Sequence, residues 1–187
     1  MITYRKSSID NLREYGEIPM ILSVHEILKV QKNGKGLGGV SFGFETVPVT
    51  PYTIDFDEAE SPTRWAEAFN VRNWALFMAY DNDIPAAGAV MAARTPEIHL
   101  LDGREDMAVL WDIRVKEEYR CQGIGQALFD AARNWCKEEG YRLMKIECQN
   151  TNVPACRFYE KQGAELEVIN RHGYGTDEYM FLWYLQL

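Results

Sequence analysis

Six consecutive residues, Arg120-Cys121-Gln122-Gly123-Ile124-Gly125, have the types and spacing to hold an anion. Glycine at 123 and 125 keeps Cβ atoms out of the way, so a ligand can approach the main chain. The amides of such a turn, and of the first residues of a following helix, lack intrahelical partners and lie at the positive end of the helix dipole. Phosphate is the anion best suited to that position. Two common phosphate loops are excluded by spacing. A Walker loop needs Gly, four residues and then Gly-Lys-Ser/Thr, and no such run occurs. A dinucleotide fingerprint needs a third Gly three residues after the second, where this chain has Leu128.

Positioning this turn requires a strand before it and a helix after it. Residues 109–115, Val-Leu-Trp-Asp-Ile-Arg-Val, are rich in β-branched and aromatic types and read as a half-buried strand. From Gly125 onward, Ala127, Leu128, Ala131, Ala132 and Trp135 recur at one-turn spacings and give a helix one apolar stripe. Glu139-Gly140 stops it. Further strands are expected at 1–7, 74–80, 86–94, 143–148, 165–169 and 178–185, with a turn at 81–84 and a polar loop at 95–106. Short helices are expected at 8–15 and 63–70, the latter with Trp65 and Phe69 on one side. A hairpin is expected across 20–49, and a second longer helix at 153–162 with Pro154 in its first turn. Pro48, Pro51 and Pro62 bracket what reads as a loop carrying Asp55, Asp57, Glu58 and Glu60, acids expected to be solvated or to face a substrate.

At 187 residues the chain suits a single domain, and 47% hydrophobic with 12% aromatic residues is a globular composition. No apolar run reaches the roughly 20 residues of a membrane span. The start, Met1-Ile-Thr-Tyr-Arg-Lys6, lacks the apolar core of a signal peptide, so a cytoplasmic protein is expected. The four cysteines, Cys121, Cys136, Cys148 and Cys156, form no C-x-x-C pair, and the three histidines are scattered; no metal site or disulfide framework is expected. Cys136 and Cys148 lie in apolar settings and should pack in the core. A net charge of −8 without basic runs argues against nucleic acid or anionic membrane as partner and permits a cationic substrate.

A second constellation follows the helix and the next strand. Asn152, Ala155, Phe158, Tyr159 and Gly163 match Asn-x-x-Ala-x-x-Phe-Tyr-x-x-x-Gly at all five fixed positions. With Arg-x-x-Gly-x-Gly at 120–125 and in the same order, the pair resembles the signatures of the GNAT N-acetyltransferase superfamily. The resemblance covers 74–169 well and the first 70 residues loosely. It implies an α+β fold: a single domain with a central mixed, mostly antiparallel sheet flanked by helices and splayed between 109–115 and 143–148. Residues 1–73 would form a more divergent acceptor-side part, 74–169 the acyl-CoA-binding core and 170–187 a closing strand.

The resemblance further implies acetyl-CoA as acetyl donor. Its pantetheine arm would pair with main chain around Ile113 and Val115. Its pyrophosphate would sit on the amides of Gln122, Gly123, Ile124 and Gly125, in a turn that includes Cys121 and to which Arg120 adds charge. Asn152 would touch the pantetheine or orient the helix that follows. Tyr159 would return a proton to the CoA thiolate, which suits a phenol of pKa about 10 facing a thiol of pKa about 8.5. An attacking amine must shed a proton, and Asp112 could be the base, a recognition group for a substrate cation, or the partner of Arg114, with which it shares a strand face. Glu147, Trp111 and Trp65 are further candidates for contact with the acceptor.

A narrower resemblance is to the streptothricin acetyltransferase branch, carried by 50–55, 111–115, 152–159 and the aromatic tail 179–184. Those enzymes acetylate an amine on the β-lysine appendage of a cationic antibiotic. An acidic chain with aromatic residues near Asp112 suits such a cation. The expected activity is direct acetyl transfer in a ternary complex to a primary amine of a small cationic molecule. Acetylation of a protein or peptide, and acyl-CoA binding without turnover, are the alternatives. GNAT domains often pair as homodimers.

Overall fold

Beginning at the N-terminus, the computed structural model places β1 at Ile2–Ser7, α1 at Leu12–Tyr15, β2 at Ile21–Gly36, β3 at Gly39–Asp55 and α2 at Trp65–Ala68. There follow β4 at Ala75–Asp81, β5 at Ile84–Ala93, β6 at Met107–Val115, α3 at Ile124–Glu138, β7 at Leu143–Gln149, α4 at Val153–Lys161, β8 at Glu165–Arg171 and β9 at Tyr179–Gln186. The structure describes residues 1–173 and 176–187. The result is the expected α+β fold with a mixed, mostly antiparallel sheet.

Two compact units are drawn from interleaved stretches of chain. The first comprises Met1–Ile21, Asp55–Ile146 and Leu185–Leu187; the second comprises Leu22–Ile54 and Glu147–Tyr184. In the first, β1, β4, β5 and β6 pair antiparallel in that order, and β7 joins parallel to β6. β4 and β5 are buried along almost their whole length, which explains their near-continuous apolar sequence. The ladder between β6 and β7 runs from Met107 opposite Leu143 to Leu110 opposite Ile146. On its other side β6 follows β5 to Val115, with a register shift that passes over Trp111. Such a bulge re-aims the side chains beyond it.

One core cluster of this unit gathers Leu12, Tyr15 and Ile18 with Trp65, Trp74, Leu76, Met78, Val90 and Val109. Gly88 on β5 is where Tyr15 packs: a Cβ there would stand 2.6 Å from Tyr15 Cε2 and 2.9 Å from the Phe77 carbonyl oxygen. The expected helices at 8–15 and 63–70 are each a 3-10 turn leading into a single α-helical turn.

In the second unit β2 and β3 form a two-stranded ribbon, and β9 pairs antiparallel with β8. The ribbon corrects the sequence reading. Residues 50–55 are strand, not loop, and β3 runs through both Pro48 and Pro51. In a two-stranded ribbon each strand keeps one open edge, where a proline forfeits no ladder hydrogen bond. Cys148 and Cys156 are buried together, their sulfurs 3.5 Å apart, and the Trp183 indole N–H donates to Cys148 Sγ at 3.2 Å. Cys136 is also buried, in the first unit.

Candidate active site

The turn after β6 is built as an anion cradle should be. Cys121 takes a positive φ of 58° and Gly123 one of 82°, and Gly123 is the N-cap of α3 with no side chain capping it. The first bond of the helical ladder here is Ala127 N–H to the Gly123 carbonyl, so the amides before it have no intrahelical acceptor. A Cβ at Gly123 would meet nothing within 4 Å, so the space over the turn is open. These are the features a pyrophosphate requires, and the turn fits the group the sequence implies.

Arg120 ties the turn down. Its Nε donates to the Val115 carbonyl at 3.0 Å and its Nη2 to the Ile21 carbonyl at 3.2 Å. Gln122 Nε2 donates to the Glu118 carbonyl at 2.8 Å. Ile124 is buried under α3, so only its main chain is available to a ligand. Cys121 is exposed in the cradle. Ile113 and Val115, half-buried, lie beyond the point where the β6–β7 ladder ends.

Asp112 and Arg114 share a face of β6, as alternation predicts, and form a buried ion pair in which both Nε and Nη2 of Arg114 donate to Asp112 Oδ2. Arg114 Nη1 also donates to the Ile18 carbonyl at 2.8 Å and to Asp57 Oδ1 at 3.0 Å. Asp57, expected as a loop acid, is part-buried and serves as the second counter-ion of a buried guanidinium, and its Oδ2 accepts from the Met20 amide. The Arg114 guanidinium also stands 4.9 Å from the Tyr15 ring centroid.

The charges in this cluster perturb one another. Burial pushes the Asp112 carboxyl above the usual carboxylate range, and Arg114 only partly opposes it. Burial works hardest against the Arg114 charge, but Asp112, Tyr15 and Asp57 together outweigh it and hold the guanidinium protonated. The Tyr15 phenol is driven well above its ordinary value by burial and then by the Asp112 charge. Trp65 Nε1 is buried without a hydrogen-bond partner among the described residues, and Asp112 Oδ1 and the Tyr15 hydroxyl are buried in groups that perturb each other.

The other expected residues are distributed as follows. Trp65 is 3% exposed and packed 6.0 Å from Tyr15 and 6.3 Å from both Trp74 and Trp111, so it is a core residue and not an open platform for an acceptor. Trp111 is half-buried against the same cluster. Glu147 is exposed on β7. In the second unit, Asn152 caps α4: its Oδ1 accepts from the Ala155 amide at 3.2 Å. Tyr159 lies two turns into that helix, buried, its ring edge-on to Phe158. Tyr15 was not identified from sequence; in a segment of ordinary amphipathic type, nothing marks it apart from other core aromatics. Among the described residues no group of three or more His, Cys, Asp or Glu is placed to hold a metal ion, and no helix is long and apolar enough to cross a membrane.

Comparison with known proteins identifies the family and the fold. The model of the acetyltransferase (GNAT) family matches residues 43–164. A streptothricin acetyltransferase of Escherichia coli is 30% identical over 167 residues, covering 86% of this chain and 83% of that protein. Streptothricin acetyltransferase A of Bacillus subtilis is 32% identical over 81 residues, a match spanning 41% of this chain and only 47% of the relative's length. A protein of Bacillus anthracis str. Ames solved in complex with acetyl coenzyme A superposes over 100% of this chain and 99% of its own, with a TM-score of 0.76 at 24% identity, which is a likeness of fold. A family match over most of the chain, with a relative 30% identical over 86% of it, places this protein in the GNAT acetyltransferase family.

Proposed function

We propose that this protein transfers an acetyl group from acetyl-CoA to a primary amine of a small cationic molecule, with streptothricin as the leading acceptor. The observation that carries the reading is the uncapped N-terminus of α3 at Gly123, directly after a β6 whose ladder to β7 stops at Leu110. In this reading the amides of residues 122–125 and the charge of Arg120 bind the pyrophosphate, and the main chain at Ile113 and Val115 receives the pantetheine arm. Bound acetyl-CoA supplies the activated thioester. Asp112 takes the amine proton on Oδ1 through water, since the atom itself is buried, while Arg114 fixes the carboxylate through Oδ2. Tyr159 gives its hydroxyl proton to the leaving thiolate. The names of the relatives in Escherichia coli and Bacillus subtilis support the choice of acceptor.

Thiol release from acetyl-CoA, followed against streptothricin, an aminoglycoside, spermidine and a lysine-containing peptide, tests the proposal. Saturable turnover with streptothricin or another small cation is expected. Turnover confined to the peptide would overturn the choice of acceptor and favour protein acetylation. Acetyl-CoA binding without turnover on any amine would overturn the assignment of Asp112 and Tyr159.

A further inference from the structure

Two of the four thiols face each other inside the second unit: Cys148, near the end of β7, and Cys156, in α4, with their sulfurs 3.5 Å apart. We infer that this pair is a modification site, at which a hydroperoxide forms a reversible disulfide that acts on Tyr159 through α4. The bond stands without any reading of activity; its effect on turnover rests on the acetyl-transfer reading.

Sulfurs already in van der Waals contact need little movement to bond. A disulfide holds them about 2.05 Å apart, so the pair must close by roughly 1.5 Å. Hydrogen bonds hold both sulfurs where they are. Cys148 Sγ accepts from the Trp183 indole N–H at 3.2 Å, and Cys156 Sγ donates to the Gln149 carbonyl at 3.6 Å. The two residues are 4% and 2% exposed, which shuts out a bulky oxidant such as a peptide disulfide. A small oxidant has a route. Gln149, which bonds Cys156 through that carbonyl, also lines a cavity of about 330 Å³ with Asn150 and Thr151.

The reaction balances with the hydroperoxide as its one co-reactant. One sulfur attacks the O–O bond and becomes a sulfenic acid, and the rest of the peroxide leaves as an alcohol or water. The other sulfur displaces the new hydroxyl, and its own proton departs with that oxygen as water. Two electrons pass from the thiols to the peroxide, and a thiol reductant returns them. The neighbouring Cys148 and burial both push the Cys156 thiol up, so the reaction is slow and needs sustained oxidant. Its consequence runs along the helix. Val153, Cys156 and Tyr159 are the buried residues of α4, each three positions from the next, so Cys156 shares a face with Tyr159 one turn away. Drawing Cys156 toward β7 draws that face with it. A displacement of about 1 Å can cost on the order of 100-fold in rate.

Trypsin makes the bond directly readable, because Cys148 and Cys156 fall in one peptide, 146–157, and Cys121 and Cys136 fall in others. The full chain is treated with hydrogen peroxide, with and without later dithiothreitol, then alkylated, digested and weighed. Peptide 146–157 should emerge unalkylated and lighter by two hydrogen atoms, and dithiothreitol should return both thiols. Turnover should fall roughly tenfold or more as the bond forms and recover with dithiothreitol. Cys148→Ala and Cys156→Ala should each lose only the share that oxidation of Cys121 removes. A peptide 146–157 that keeps both thiols while Cys121 is fully oxidised overturns the site. A bond that forms while turnover merely matches that of the two oxidised variants overturns the action on Tyr159 and leaves the acetyl-transfer reading intact. A bond that forms in a protein acetylating no amine supports the site and removes the acetyl-transfer reading, and changed amide exchange along α4 then reports the pull on the helix.

Discussion

Asp112 has one oxygen held by Arg114 and the other buried beside the Tyr15 phenol, and burial raises its carboxyl pKa. A base acts only when deprotonated, so the rate should climb with pH through a value above the ordinary carboxylate range. Asp112→Asn should abolish that rise and lower kcat by roughly 10²–10⁴-fold, read from the pH profile of kcat/KM. A carboxylate that merely pairs with Arg114 would leave the profile's shape intact. Tyr159→Phe should lower kcat by a similar factor while acetyl-CoA binding by calorimetry stays within about twofold. Arg114→Met leaves Asp112 and Asp57 with no counter-ion in a buried site. The variant should lose about 3–5 kcal/mol in urea unfolding, since breaking a buried pair strands its charges. The sequence could show that Asp112 and Arg114 share a strand face, because alternation is local. It could not show Asp57 arriving from 57 residues away, and so the acid was read as a loop charge.

At the level of elements, local chemistry was readable wherever one signal dominated. Gly123 and Gly125 with the apolar stripe behind them specify a strand-turn-helix, and Asn152 with Pro154 specifies the start of α4. Proline misled at 51, because the rule that a proline breaks a strand presumes a partner on both edges and β3 has one. The Trp111 bulge and the early end of the β6–β7 ladder leave no mark in residue type, since both are settled by packing between strands. Gly88 is another position whose reason is tertiary: nothing in β5 requires glycine until Tyr15 is laid against it. Gly88→Ala should cost about 1–3 kcal/mol, measured by thermal unfolding, because the nearest atoms include main chain that cannot retreat. The near-ultraviolet circular dichroism should change as Tyr15 is displaced.

For the molecule as a whole, four thiols differ sharply in reactivity. Cys121 is exposed, while Cys136, Cys148 and Cys156 are buried, with burial pushing the Cys136 thiol up to about 12. Iodoacetamide at neutral pH should therefore add one label to the folded protein, seen by intact mass, and acetyl-CoA should protect that site if the cradle is where its pyrophosphate lies. The acidic net charge fits a cationic acceptor without identifying one. Neither unit was visible as a sequence segment, because the chain passes between them after residues 21, 54, 146 and 184. That interleaving has a consequence for biosynthesis. The first unit includes Leu185–Leu187, whose last amide bonds the Arg142 carbonyl, and those residues are made only after the whole of 147–184. A nascent chain arrested before residue 185 holds the whole second unit while the first still lacks its last segment, so the two units are completed in the reverse of the order in which they begin.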